Sequence, residues 1–468
     1  MAYVEMSSKK GILGFFPLVM INVIAVASIR SLPFSAAYGF SLVFFYILAA
    51  IFFFIPSMLV AAELGTGWPN TGGIYVWVRE AFGKRWSFIV IWLNWIYNVV
   101  WYPTIIALLA GTIAYFFNPD LASNNLYMGC SVLVLFWLAT WFNLHGMKIS
   151  SWISTLGALL GTLLPMLFII FLGMQWWKSG RQLAFTFSWD NFFPSQGASS
   201  NLAFLTNVLF GLVGMEMSAT HAADMKNPKR DYPRSLIVSA VVILLATVFA
   251  SLSIAMVIPS GQLNLAVGAM QAFSIFLQAL HLDWLVKVMA ACILIGGISA
   301  VSAWIIGPTK GLMVASKDGS LPAFFAKTNK NGVPKNILIS QAILVSLLSL
   351  FFVVFPTVNN SFWFLSAIAA QLALIVYIFL FLSALKLHFH KPEVARSFKV
   401  PGKNLGIYLT CLSGIASSFF VIILGFIPPS QVDIKNVLFY ECLLVGGILV
   451  FCIIPVIIIR LNKRYRRA

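Results

Sequence analysis

The chain has 468 residues, 60% of them hydrophobic and 9% charged, with a formal net charge of +17 and a mean hydropathy of +0.94. A soluble globular domain carries about 25% charged residues, so composition excludes a water-soluble enzyme and a soluble nucleic-acid binder. The basic residues sit in short blocks between long apolar stretches, which is the charge pattern of a membrane protein.

Twelve stretches are long enough to cross about 30 Å of hydrocarbon at roughly 1.5 Å per residue. The fold class is therefore an all-α polytopic membrane protein with 12 transmembrane helices. Span 1 runs from about Gly11 to Phe34 and holds Ala25, Ala27, Ser28, Arg30, Ser31 and Pro33, a mixture that predicts an interrupted helix. Span 2 (about Phe40–Glu63) leads into the turn-rich segment Gly65–Trp77, where a re-entrant or interfacial piece is expected. Span 3 (about Trp86–Phe116) carries Asn94, Asn98, Trp101 and Tyr102; spans 4 and 5 cover about Leu126–His145 and Ile153–Met174.

Span 6 (about Leu202–Ala223) contains Gly211, Gly214 and Glu216, followed by Ser218, Thr220 and His221. Two glycines three apart weaken a helix, and a carboxylate within an apolar span marks a functional site. Spans 7 to 12 are read at about Ser235–Ile258, Trp284–Gly307, Leu338–Phe355, Phe362–Leu385, Leu405–Phe426 and Val437–Ile459. The segment between spans 7 and 8 reads as an outer connection ending at Asp283, and the loop between spans 8 and 9 holds a short amphipathic piece.

Of the 30 Lys and Arg residues, Arg30 and Lys310 fall within spans, and Lys178, Arg181, Lys287 and Lys435 fall in segments of one side. The remaining 24 fall on the other side, which predicts that side, with both termini, to be cytoplasmic. The five cysteines lie in apolar context without CxxC spacing and read as packing residues. No H-E-x-x-H, G-x-S-x-G or P-loop occurs, so neither an enzyme nor a cofactor is expected, and no metal site is expected. Spans 1 and 6 are five apart, so they cross in opposite directions, and both are interrupted. That pairing is the sequence pointer to an inverted-repeat transporter with its site near the bilayer midplane.

Gly214-Met215-Glu216 with Ser218-Ala219-Thr220-His221, the segment Asn227-Pro228-Lys229-Arg230-Asp231-Tyr232-Pro233, and the turn Pro69-Asn70-Thr71-Gly72-Gly73-Ile74-Tyr75 carry a resemblance. Together with cues in spans 2 and 7 and in the span 8–9 loop, they make the chain resemble the amino acid–polyamine–organocation (APC) superfamily, and within it the glutamate/GABA antiporter family. The resemblance implies a LeuT-like fold with a 5+5 inverted repeat and discontinuous helices 1 and 6. It places the first repeat at 11–175, an outer loop at 176–200, the second repeat at 201–386, a cytoplasmic loop at 387–404 and the last two helices at 405–459, with tails at 1–10 and 460–468. Two departures stand out: Ala27 and Ser28 occupy the place of the Gly-Ser-Gly-like break of many relatives, and Arg30 and Ser31 stand where glutamate/GABA antiporters carry a Tyr-Glu pair.

The implied activity is exchange of amino acids, glutamate, GABA or related, across the cytoplasmic (inner) membrane by alternating access. A proton-coupled symporter of the same fold is the alternative, and an amino acid-gated channel is a further one. The expected partners are small-molecule amino acid substrates and membrane lipid, with a homo-oligomer left open and no nucleic acid. Half-helix N-termini near Ser28–Ser31 would hold the α-carboxylate, and carbonyls near Ala25 and Leu209–Gly211 the α-ammonium. Glu216 has three readings open: substrate contact, organiser of the span 6 break, or proton carrier. Arg30 either binds a substrate side-chain carboxylate or pairs with a carboxylate such as Glu216. Lys310 either guides an anionic substrate or snorkels. Asn94, Asn98, Trp101 and Tyr102 line the pocket or bond between helices. Trp304 and Trp363 are gate candidates by resemblance, and His221 is a pH-sensing candidate.

Overall fold

The computed structural model describes residues 14–69, 72–145, 157, 159–194, 202–217, 228–429 and 437–461, and among these there is no strand. Eleven helices among the described residues are long and apolar enough to cross a membrane. They are span 1 (Phe15–Ala36), span 2 (Gly39–Gly67), span 3 (Lys84–Ala114), span 4 (Asn125–Leu144), span 5 (Leu159–Lys178), span 7 (Arg230–Val257), span 8 (Trp284–Lys317), span 9 (Lys335–Val354), span 10 (Val358–His390), span 11 (Lys403–Leu424) and span 12 (Val437–Leu461). Of the other expected crossing, span 6, the described residues are the apolar segment Leu202–Met217, whose α-helix stops at Phe210.

Each interruption has a local cause. In span 1 the helix Phe15–Val26 gives way at Ala27 and Ser28, both extended, and resumes at Ile29. Pro33 sits in the first turn of the resumed helix, where its missing N–H costs nothing. Spans 2 and 5 each carry one widened π-type turn, at Ala50–Phe54 and Leu159–Leu163, just ahead of Pro56 and Pro165. A proline strips the carbonyl four residues back of its partner; in span 2 that carbonyl, on Phe52, accepts instead from the Ser417 hydroxyl of span 11 (3.0 Å).

Spans 3 and 10 form the centre of the bundle, with 89% and 78% of their most apolar windows buried against 11% for span 12 at the periphery. Glycine permits the closest helix contact. A Cβ on Gly161 of span 5 would collide with the backbone of Gly296 in span 8, and the converse also holds, so these helices touch main chain to main chain. Two connections differ from the sequence reading. The segment between spans 7 and 8 folds into a helix, Gly268–Gln278, whose apolar side is buried, and Ile74–Phe82 is a short helix packed into the bundle with Ile74 to Val78 all buried. The span 8–9 loop holds one short 3-10 turn, Ala323–Ala326.

The end of the bundle rich in Lys and Arg is closed by a charged clasp. Glu63, at the end of span 2, is 2% exposed; its Oε1 meets Arg396 Nη1 at 2.8 Å and His388 Nδ1 at 2.9 Å, and its Oε2 accepts from the Val400 N–H at 2.8 Å. Arg396 also donates to the carbonyls of Leu387 (2.7 Å) and Lys391 (2.8 Å) and lies over Trp68. Around it, Lys391 pairs with Glu80 (2.5 Å), while Asp318 accepts from Arg79 (3.0 Å) and Tyr75 (2.8 Å). Removing one partner of a buried pair costs about 3 to 5 kcal/mol because the other charge is stranded. Glu63→Ala is therefore expected to lower the thermal unfolding midpoint in detergent well below that of wild type. Glu63→Gln, which keeps an acceptor for the Val400 N–H, should cost less; equal midpoints for wild type and Glu63→Ala would show that the clasp does not stabilise the bundle.

Candidate substrate site

The unwound parts of spans 1 and 6 lie against each other. A Cβ on Gly211 would sit 3.1 Å from Ser31 Cβ, and one on Gly214 would sit 3.0 Å from the Ala25 carbonyl oxygen. Gly214 has φ +126°, a conformation that side chains rarely adopt, so glycine is required there for both backbone and space. The span 6 helix closes in a turn, with Gly211 N–H on the Asn207 carbonyl (2.8 Å), Leu212 on Leu209 (3.0 Å) and Val213 on Phe210 (3.2 Å). These bonds occupy the carbonyls of Leu209 and Phe210, two of those expected to face an ammonium group.

Beyond the turn, the Gly214 N–H has no helical partner and donates to the Tyr377 hydroxyl of span 10 at 2.8 Å. That hydroxyl in turn donates to Glu216 Oε2. Glu216, 6% exposed, is thereby tied to the break in its own span, and it is absent from the cavity wall.

A cavity opens where the two breaks meet, with about 70 Å³ of space open to the centre of a water molecule. Span 1 contributes the run Ile24–Ser31, so Ala25, Ala27, Ser28, Arg30 and Ser31 all stand on the wall. In span 1 the Ser31 N–H (3.1 Å) and hydroxyl (2.8 Å) both bond back to the Ser28 carbonyl, which places the N–H groups of Ile29 and Arg30 ahead of the first closing bond of the resumed helix. Span 3 contributes Tyr97, Asn98 and Trp101; span 5, Gly161 and Thr162; span 6, Phe210, Gly211 and Val213; span 8, Gly296, Gly297, Ala300 and Trp304. The rings of Trp101 and Trp304, both lining residues, pack against each other, tilted by 56° with centres 5.8 Å apart.

Arg30 is 2% exposed, and no carboxylate lies within ion-pair distance of it among the described residues. Its Nη1 donates to the Ser366 hydroxyl at 3.1 Å and reaches Thr104 Oγ1 at 3.5 Å, and its Nε has no partner. The guanidinium carbon lies 5.3 Å from the Phe210 ring centre, 5.8 Å from Phe34 and 6.0 Å from Phe362. Hydroxyls and ring faces are weak compensation for a buried cation.

The remaining sequence candidates are distributed as follows. Asn98 lies on the wall with its amide nitrogen on the Asn94 carbonyl (2.7 Å). Tyr102 is buried behind the wall and donates to the Trp304 carbonyl (2.9 Å), which fixes the backbone under that ring. Trp363 is buried away from the cavity, donating to Tyr440 (2.7 Å) and packing on Phe204 and Phe34. Lys310 is exposed and off the wall. His221 lies outside the described residues. Sequence reasoning missed Tyr97 and Thr162, both of which line the cavity. It also missed Gly161, Gly296 and Gly297, although paired glycines within an apolar span are a legible signal of close approach.

Over residues 13–448 the chain matches the family model for amino acid permeases. It belongs to the amino acid permease family. Within that family it is 50% identical to an uncharacterized transporter of Legionella pneumophila, over 96% of this chain and 97% of the relative. It is 30% identical to a glutamate/gamma-aminobutyrate antiporter of Lactococcus lactis (98% and 92% covered) and 27% identical to a probable agmatine/putrescine antiporter of the same species (91% and 90%). The permease is thus a multi-pass membrane protein of the APC superfamily, and its two broken helices are the family's discontinuous spans 1 and 6.

Tyr377→Phe removes both the acceptor for the Gly214 N–H and the donor to Glu216. Each stranded buried group costs about 1 to 3 kcal/mol, so this variant is expected to unfold at lower temperature and to transport more slowly. Gly214→Ala, opposed by both φ and the Ala25 carbonyl, should abolish transport. Initial uptake rates and thermal midpoints measured side by side check both; a Tyr377→Phe protein matching wild type in each would remove the hydroxyl's role.

Proposed function

We propose that this permease is a secondary active amino acid transporter of the glutamate/GABA antiporter type, exchanging amino acids by alternating access. The observation that carries the reading is the meeting of two broken helices at one cavity. A zwitterion leaving water needs partners for both ends, and broken helices supply them from the main chain. The N–H groups ahead of the resumed span 1 helix suit the α-carboxylate. The carbonyl ends around Ala25 and Gly211 suit the ammonium, and Asn98 supplies a further polar contact. Trp101 and Trp304, packed together on the cavity wall, are the gate candidates.

Exchange is favoured over proton symport by the antiporters among its relatives. Transport chemistry, with no covalent step on the substrate, is in keeping with a wall whose groups bind rather than react. The basic end of the bundle is assigned to the cytoplasm of the inner membrane by its excess of Lys and Arg. A C-terminal fluorescent fusion that matures only in the cytoplasm checks that orientation.

Counterflow in liposomes tests the activity. Vesicles preloaded with an unlabelled amino acid should accumulate the labelled form from outside, while empty vesicles under a proton gradient should not. Concentrative uptake into empty vesicles would replace exchange with symport, and currents far above carrier turnover would replace both with a channel.

A further inference from the structure

The clasp holds Glu63 near one end of span 2; at the other end, where the span begins at Gly39, an aromatic segment that follows span 5 packs on it. Phe185 stacks on Phe40 with ring centres 5.9 Å apart and planes 9° apart, and Phe187 meets the same ring edge-on at 5.1 Å. Phe192 and Phe193 pack on Phe44 at 5.9 and 5.6 Å. These contacts leave much of the segment uncovered: Trp189 is 77% exposed and Phe193 53%. Its polar groups are bonded within it. The Asn191 side chain donates to the Thr186 hydroxyl (2.6 Å) and carbonyl (3.1 Å), the Asn191 N–H donates to the Ser188 hydroxyl (3.2 Å), and the Phe192 N–H donates to the Ser188 carbonyl (3.0 Å). The Ala184 N–H, just ahead, ties the segment to the Met256 carbonyl of span 7 (2.8 Å).

We propose that residues 185–193 form an interfacial anchor whose partner is the bilayer, with Trp189 and Phe193 seated where headgroups meet acyl chains. Continuity with the lipid-facing surface carries the assignment. On span 5 the exposed apolar residues Leu167, Phe171, Met174 and Trp177 recur at three- and four-residue spacing and so form one stripe along the helix. Its last ring, Trp177, packs on Phe187 at 5.8 Å. On span 2 a second exposed apolar run, Ile55, Ile51 and Ile47, leads toward Phe44, on which Phe193 packs. Two surfaces that a membrane helix shows to lipid thus run into one aromatic segment. A soluble partner would have to cover the segment without touching the stripes that feed it, whereas the bilayer meets both at once. The chemistry suits that depth. Tryptophan favours the headgroup level, a chain entering this layer must bond its own polar groups, and Lys178, exposed at the end of span 5, stands where a lysine reaches toward phosphate.

Spin labels on the full chain, reconstituted in phosphatidylcholine vesicles, read the depth. A nitroxide on Trp189→Cys is compared with two references: Leu167→Cys on the span 5 stripe and Lys330→Cys in the exposed span 8–9 loop. The labelled unsubstituted protein supplies the background from its own cysteines. Collisions with oxygen, which concentrates among acyl chains, are set against collisions with a water-soluble nickel chelate. The Trp189→Cys label should collide with oxygen more than with the chelate, with a ratio shifted from the Lys330→Cys value toward the Leu167→Cys value. A ratio equal to that of Lys330→Cys would place the segment in water and overturn the proposal. Shielding from both reagents would show a protein surface over it, a second copy of this chain included, and would overturn it equally. If Trp189→Cys fails to fold, Phe193→Cys gives the same reading, with the same outcomes deciding.

Discussion

A main chain that unwinds deep in a bilayer leaves N–H and C=O groups with no water to bond, and in span 6 one hydroxyl answers for the break. Tyr377 accepts from the Gly214 N–H and donates to the Glu216 carboxylate, so a neutral side chain on span 10 holds both the backbone and the charge of span 6 in place. The residues that allow this are specific. Gly214 alone can take the positive φ against the Ala25 carbonyl, and only a side chain with both donor and acceptor capacity can sit between an N–H and a carboxylate.

Span 10 extends that role along its whole length. Ser366, Tyr377 and His388 are spaced eleven residues apart, which is close to three helical turns and about 16 Å, so they fall on nearly one stripe of an uninterrupted helix. The first accepts from Arg30 beside the span 1 break, the second holds the span 6 break, and the third joins the Glu63–Arg396 clasp at the end of span 2. One uninterrupted helix therefore braces both broken ones and the charged closure of the basic end.

Much of this fold was legible in the sequence, and the reasons are local. Span lengths follow from hydropathy, and the breaks follow from Ala27–Ser28 ahead of Pro33 and from the Gly211–Gly214 pair, because proline and glycine act on their own backbone. What stayed hidden depends on tertiary contact. Tyr377 lies 161 positions from Glu216, and nothing in either segment names the other. Tyr97 sits one residue before Asn98 and looks like any aromatic in an apolar helix, yet it lines the cavity. Trp363 is a gate candidate by resemblance alone, and packing places it against Tyr440 and Phe204 instead of the cavity. The helix Gly268–Gln278 escaped because an apolar segment of eleven residues is too short for a span and was read as a connection.

The two ionisable residues of the broken spans illustrate how burial divides labour. Arg30 and Glu216 sit on neighbouring breaks and would neutralise each other if they met, which would leave a cavity with no net preference for charge. The fold keeps them apart by giving Glu216 to Tyr377 of span 10 and Arg30 to the hydroxyls of Ser366 and Thr104 and the rings around it. A buried charge held this way costs stability. The departure of Arg30 and Ser31 from the Tyr-Glu pattern of the antiporters this chain resembles thus falls where the span 1 break buries a charge among neutral partners.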